Sequence, residues 1–136
     1  MKFNMLTPEL YVSNFDKSLK FYTDLGFEIK YQRKDPKFAF LSYQGSQIMI
    51  QEIEQEWLTG MLKYPFGRGI NLQITTQDVN SIIEFLKKNN YPINNPLEEN
   101  SYRKGVKLLV CKELRVMDPD GYQLRFSQDI EEKAVG

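Results

Sequence analysis

Leu6, Pro8, Leu10 and Val12 alternate with Thr7, Glu9 and Tyr11, a period of two that predicts a strand with one apolar face. Pro8 suits the edge of a sheet or a strand exchanged between subunits, since proline cannot donate to a ladder. Ser13 or Asn14 then caps a helix on which Phe15, Leu19, Tyr22 and Leu25 fall at helical spacing, and Gly26 ends it. Three strands follow, over Phe27–Gln32, Phe38–Tyr43 and Gln47–Ile53, with a turn at Gln44-Gly45-Ser46 between the last two.

The same order returns. Ile70, Leu72 and Ile74 alternate with Asn71, Gln73 and Thr75, and Asp78 caps a helix carrying Val79, Ile82, Ile83, Phe85 and Leu86, which Asn89-Asn90 ends. Leu10 and Ile74, Phe15 and Val79, Leu19 and Ile83, Phe21 and Phe85, Phe27 and Tyr91, and Ile29 and Ile93 each lie 64 positions apart, which predicts an internal duplication. The later strands are expected near Lys107–Val110, Glu113–Met117 and Tyr122–Gln128, with Asp118-Pro119-Asp120-Gly121 as the last hairpin turn. The tail from Glu131 is expected to fray. The prediction is α+β, with two tandem βαβββ modules in one domain over 1–136. Module one covers about 1–56, a Gly- and Pro-bearing linker about 57–68, and module two about 69–130.

Composition narrows the function classes. Eighteen basic and 18 acidic residues cancel, which removes the electrostatic reason to bind nucleic acid or an anionic membrane surface. No apolar run approaches the ~18 residues of a membrane span, and MKFNMLTPEL lacks the apolar stretch of a secretory signal. Cys111 is the one cysteine and has no intrachain partner, which predicts a reducing cytoplasm. There is no histidine, so Ser-His-Asp and Cys-His catalysis are excluded and Cys111 has no histidine to activate it.

The opening Thr7-Pro8-Glu9-Leu10, Phe15-Asp16 and Phe21-Tyr22-Thr23-Asp24-Leu25-Gly26-Phe27 resembles the glyoxalase/bleomycin resistance/extradiol dioxygenase (vicinal oxygen chelate) superfamily, as does the exit Val116-Met117-Asp118-Pro119-Asp120-Gly121-Tyr122. The likeness runs along the whole chain, and Pro8 with Phe15-Asp16 resembles bleomycin resistance proteins most. The resemblance implies curled mixed sheets around a shared cleft, in which the superfamily's enzymes hold a divalent metal on His and Glu side chains. Carried over, those positions fall at Thr7, Asn71 and Arg125, and at Met49 or Gln51 on the same face. A guanidinium repels a cation and the other groups bind one poorly, so no metal and no cofactor is expected.

By alternation, Thr7, Glu9, Tyr11, Gln47, Met49, Gln51, Asn71, Gln73, Thr75, Gln123, Arg125 and Ser127 face that cleft, while Leu10, Val12, Ile48, Ile50, Leu72, Ile74, Leu124 and Phe126 pack under the helices. So many inward polar groups are costly in a closed core and fit a wet cleft. Aromatics are 13% of the chain, and Phe38, Phe40, Trp57, Tyr64, Phe66 and Tyr102, the last placed in a loop, are candidates for stacking on a ligand as in bleomycin resistance proteins. Glu9, Met49, Gln51, Asn71, Gln73 and Arg125 complete the candidate binding set. The expected function is capture of an aromatic or hydrophobic small molecule, an antibiotic being one candidate, by a metal-free homodimer without turnover. Zero net charge argues against cationic bleomycin itself. The alternative is a superfamily enzyme of lyase, isomerase or dioxygenase type, with Glu9 as base, Tyr11 assisting and Arg125 holding an oxyanion. A regulatory or interaction module on the same scaffold is the third reading.

Overall fold

The computed structural model describes residues 2–135. The first module is β1 (Glu9–Val12), α1 (Phe15–Asp24), β2 (Glu28–Lys34), β3 (Lys37–Tyr43) and β4 (Ser46–Glu52). The second is β5 (Asn71–Thr75), α2 (Val79–Lys88), β6 (Glu98–Lys104), β7 (Lys107–Met117) and β8 (Gln123–Ala134). This is α+β with two βαβββ modules, each a four-stranded mixed sheet, in the orders β1-β4-β3-β2 and β5-β8-β7-β6. β1 runs parallel to β4 and β5 parallel to β8, and the remaining pairs are antiparallel.

The duplication extends to the helix ends. Asn14 accepts from the Lys17 N–H and Asp78 from the Asn80 N–H, so the side-chain caps themselves lie 64 positions apart. At the other end the Gly26 and Phe27 N–H groups bond the Thr23 and Tyr22 carbonyls, and the Asn90 and Tyr91 N–H groups bond those of Lys87 and Leu86. These are two Schellman motifs, with Gly26 at φ 107° and Asn90 at φ 58° in the turning position, where those residue types cost least.

The chain forms two compact units, residues 1–68 with 118–122, and residues 69–117 with 123–136. In the first, α1 lies on β3 and β4 and buries Phe21, Tyr22 and Leu25 beside Val12, Leu41 and Ile50. In the second, α2 lies on β7 and β8 over Ile82, Leu86, Leu114, Leu124 and Phe126. Each such side chain contributes roughly 1.5–3 kcal/mol when removed from water. The apolar faces expected from alternation are thus the helix-covered ones; the opposite face of each sheet carries the polar positions, joined in the first sheet by Tyr31, Phe38 and Phe40.

Residues 118–122 staple the first unit. Tyr22 donates to Asp118 Oδ2 at 2.6 Å, while the Asp120 and Tyr122 N–H groups both donate to Asp118 Oδ1 at 2.9 Å. Asp120 in turn accepts from the Ser13 N–H at 2.9 Å and from the Ser13 hydroxyl. Burial raises the Asp118 carboxyl to about 6, although its hydrogen bonds pull the other way.

Four expectations are corrected. Tyr102 is not in a loop: Glu98–Lys104 is the edge strand β6, a polar segment whose side chains show no alternation to read. Lys107–Val110 and Glu113–Met117 are one continuous strand, β7, with a register shift between Val110 and Cys111. Nor does the tail fray at Glu131, because β8 continues to Ala134 against β7. The N-terminal strand is shorter than the Leu6–Val12 alternation, beginning at Glu9.

Candidate functional site

On the uncovered face of the second sheet, cross-strand pairing sets Gln73 beside Arg125, and Arg125 beside Arg115 on β7. Two residues along, Thr75, Ser127 and Glu113 form the next row, and Cys111 pairs with Asp129 beyond it. Because strand side chains repeat every second residue, all of these emerge on one face.

Arg125 is the hub. Its Nη2 donates to Gln73 Oε1 at 2.8 Å and its Nη1 to the Tyr102 hydroxyl at 3.4 Å. Nη1 also lies 3.4 Å from Glu113 Oε2 in an ion pair whose carboxylate side is only 4% exposed. Glu113 Oε1 accepts from the Tyr102 hydroxyl and, at 2.9 Å, from Asn100 Nδ2. The hydrogen bond to Glu113 raises the Tyr102 phenol above its ordinary value, so Tyr102 stays a neutral donor. Arg125 Nε is buried and has no hydrogen-bond partner. A cavity of about 310 Å³ opens here, lined by Gln73, Tyr102, Leu109, Cys111, Glu113, Arg125, Ser127 and Asp129. Cys111 donates to Asp129 Oδ1 at 3.5 Å, and burial raises the thiol, which keeps it protonated and unreactive.

The first unit has a smaller cavity of about 140 Å³, lined by Glu9, Tyr11, Trp57, Leu58, Thr59, Leu62 and Tyr122. The Tyr11 hydroxyl accepts from the Trp57 N–H at 3.2 Å, and the Tyr122 hydroxyl donates to the Tyr11 carbonyl at 2.8 Å. Burial raises the Glu9 carboxyl, with Arg33 opposing that shift.

Of the sequence-chosen residues, Gln73 and Tyr102 each accept from Arg125, and Glu9 and Trp57 share a cavity lining with Tyr11. Asn71 is exposed on the face of β5 that carries Gln73 but is outside the network. Phe38 and Phe40 do face the polar side of their sheet, but at 1% and 2% exposure they are covered: Tyr31 stacks on both and the Arg33 guanidinium lies 4.4 Å from the Phe38 ring centre. Gln51 is buried and donates to Glu54, and Met49 sits between Glu9 and Phe40 in the sheet. Phe66 packs edge-on against Tyr122, which gives it a structural place, whereas Tyr64 is 63% exposed.

Glu113, Asn100 and Tyr31 were missed. Alternation along one unbroken β7 would have set Glu113 on the face of Arg115 and Cys111; dividing that strand hid it.

The fold family's metal does not fit these donors. Glu9 pairs with Met49 in register as Gln73 pairs with Arg125, so Met49, rather than Gln51, is the first-module counterpart of Arg125. Thioether, amide, hydroxyl and a guanidinium already paired to Glu113 make no site for a divalent cation. Among the described residues no three Cys, Asp or Glu side chains gather as a ligand group.

Comparison with known proteins agrees with this architecture. The profile of the Glyoxalase/Bleomycin resistance protein/Dioxygenase superfamily matches residues 2–126. A superfamily member from Vibrio splendidus 12B01 is 33% identical, over 91% of this chain and 97% of that one, with a TM-score of 0.41. TioX from Micromonospora sp. ML1 is 14% identical over 93% of this chain and 99% of its own, with a TM-score of 0.71. A glyoxalase/bleomycin resistance protein/dioxygenase from Alicyclobacillus acidocaldarius is 18% identical over 94% and 92%, with a TM-score of 0.61. Comparison with curated proteins gives no significant match. With the profile spanning nearly the whole chain and the βαβββ order present twice, the chain belongs to the Glyoxalase/Bleomycin resistance protein/Dioxygenase superfamily.

Proposed function

We propose that this superfamily member captures a small aromatic or hydrophobic molecule and releases it unchanged, acting as a metal-free homodimer in the cytoplasm. The observation that carries the reading is the Arg125 hub. A position aligned with a metal ligand of the superfamily's enzymes holds a guanidinium fixed by Gln73, Tyr102 and Glu113 beside a cavity of about 310 Å³. Such a set of preoriented donors recognises polar atoms on a ligand. Glu113 offsets the charge of Arg125, which favours a neutral ligand over an anionic one. An antibiotic with planar rings has this chemistry, and capture would protect by mass action.

Titration of the purified chain with a panel of neutral aromatic antibiotics and metabolites tests this by calorimetry and thermal unfolding. Saturable binding with a raised unfolding midpoint is expected, unaffected by chelator, with the ligand recovered at its original mass and binding weakened at least tenfold in Arg125→Met. A ligand recovered at a different mass, or a stoichiometric bound metal whose removal abolishes binding, would overturn it.

One observation favours an enzymatic second reading. Glu9, its carboxyl raised by burial beside Tyr11, has the environment of a general base. Turnover lost in Glu9→Gln would establish it, and it would then replace capture.

A further inference from the structure

The polar side of the first sheet carries an aromatic row that is already occupied. Tyr31 lies flat on Phe40, 5.2 Å between ring centres at 15°, and Phe3 stands edge-on against Phe40 at 5.2 Å and 86°. The backbone on both sides of Phe3 is held by one side chain. Gln47 Nε2 donates to the Lys2 carbonyl and Gln47 Oε1 accepts from the Asn4 N–H, each at 2.7 Å. Gln47 is itself only 9% exposed, so its carboxamide is a built, two-point reader of an amide on either side of an aromatic ring.

The segment that fills this site is lightly held. Beyond Asn4, Met5 and Leu6 are 105% and 81% exposed, and Phe3 is 54% exposed. Two apolar side chains in full contact with water contribute nothing to keeping the segment down. Among the described residues its hold rests on the Phe3 ring and three hydrogen bonds, the third from Asn4 Nδ2 to the Gly45 carbonyl at 2.9 Å.

We infer that residues 2–4 are an internal stand-in for a ligand, and that the site they cover takes a planar aromatic ring flanked by an amide carbonyl on one side and an amide N–H on the other. This deepens the reading of the chain as a small-molecule binder and rests on it. The ring contacts Phe40 and Tyr31 and the two amides pair with Gln47. Binding displaces Phe3, so the segment competes with the ligand from within the chain and lowers apparent affinity by the fraction of time it is docked.

N-acetyl-phenylalanine amide reproduces all three elements and is the probe, with N-acetyl-leucine amide as the ringless control. Calorimetric titration should show the phenylalanine probe binding Phe3→Ala at least tenfold more tightly than the unchanged chain. Gln47→Leu in the Phe3→Ala background should lose that gain, and the leucine amide should not compete. In the unchanged chain, saturating probe should speed hydrogen exchange at the Asn4 amide, a readout that needs no variant. Equal affinity with and without the Phe3 ring, or Asn4 exchange unmoved at saturation, would overturn the inference. If the broader aromatic panel still binds and Arg125→Met abolishes that binding, only this inference falls. If no panel compound binds, capture falls with it.

Discussion

Asp118 shows what one buried carboxyl can do to stability. Its two oxygens hold the Tyr22 hydroxyl and two backbone N–H groups, so the geometry is needed at every pH, yet burial penalises the charge and lifts the carboxyl to about 6. The folded value is above the unfolded one of about 3.9. The favourable contribution of this group is therefore complete below about pH 4 and lost as pH rises through about 6, by roughly 3 kcal/mol between the limits. Asp118→Asn keeps an acceptor for both N–H groups and removes the titration. Urea midpoints measured from pH 4 to pH 7 should fall in the unchanged chain relative to this variant; parallel curves would refute the assignment. This titration was invisible in the Asp118-Pro119-Asp120-Gly121 motif, which announced a turn and said nothing of Tyr22 reaching into it from α1. Cys111 was legible by contrast: with no histidine available, a quiet buried thiol was the physical expectation, and burial raises it.

Helices were the most legible elements, because a cap, a 3.6-residue stripe and a turning residue all name the same boundaries. Asn14 with Gly26, and Asp78 with Asn90, enclose α1 and α2. Strands are read from alternation alone, which fails where both faces are polar. β6 is such a strand, and the end of β8 beyond Gln128 is another, since β5 stops at Thr75 and leaves that stretch as an edge. The misread β6 is the strand that brings Tyr102 and Asn100 to Glu113, so the error in elements became an error in the site. The site's logic is testable at this scale. Arg125→Met leaves the buried Glu113 carboxylate facing only neutral donors, and should cost about 2 kcal/mol in urea unfolding. The double variant Arg125→Met with Glu113→Gln should recover at least half of that. A double variant no more stable than the single would mean the pair is not coupled.

At the scale of the molecule, the 64-residue repeat predicts two modules, and two βαβββ units are present. The homodimer proposed above is testable in solution. In the first unit, Met61 and Trp57 are 85% and 65% exposed, an apolar burden that a second copy would cover. Sedimentation at micromolar concentration should give twice the 16.1 kDa chain mass; a single 16.1 kDa species would remove the homodimer.

The staple at 118–122 makes the first unit dependent on sequence far downstream of its own module. A ribosome that has delivered residues 1–68 has delivered α1 without the carboxylate that Tyr22 needs, and Ser13 without Asp120. The expressed fragment 1–68 should accordingly show no cooperative thermal transition, and mixing with 69–136 should restore one. Nascent chains of this architecture must wait until residues 118–122 have been made before the first unit can close, a window in which chaperones have most to guard.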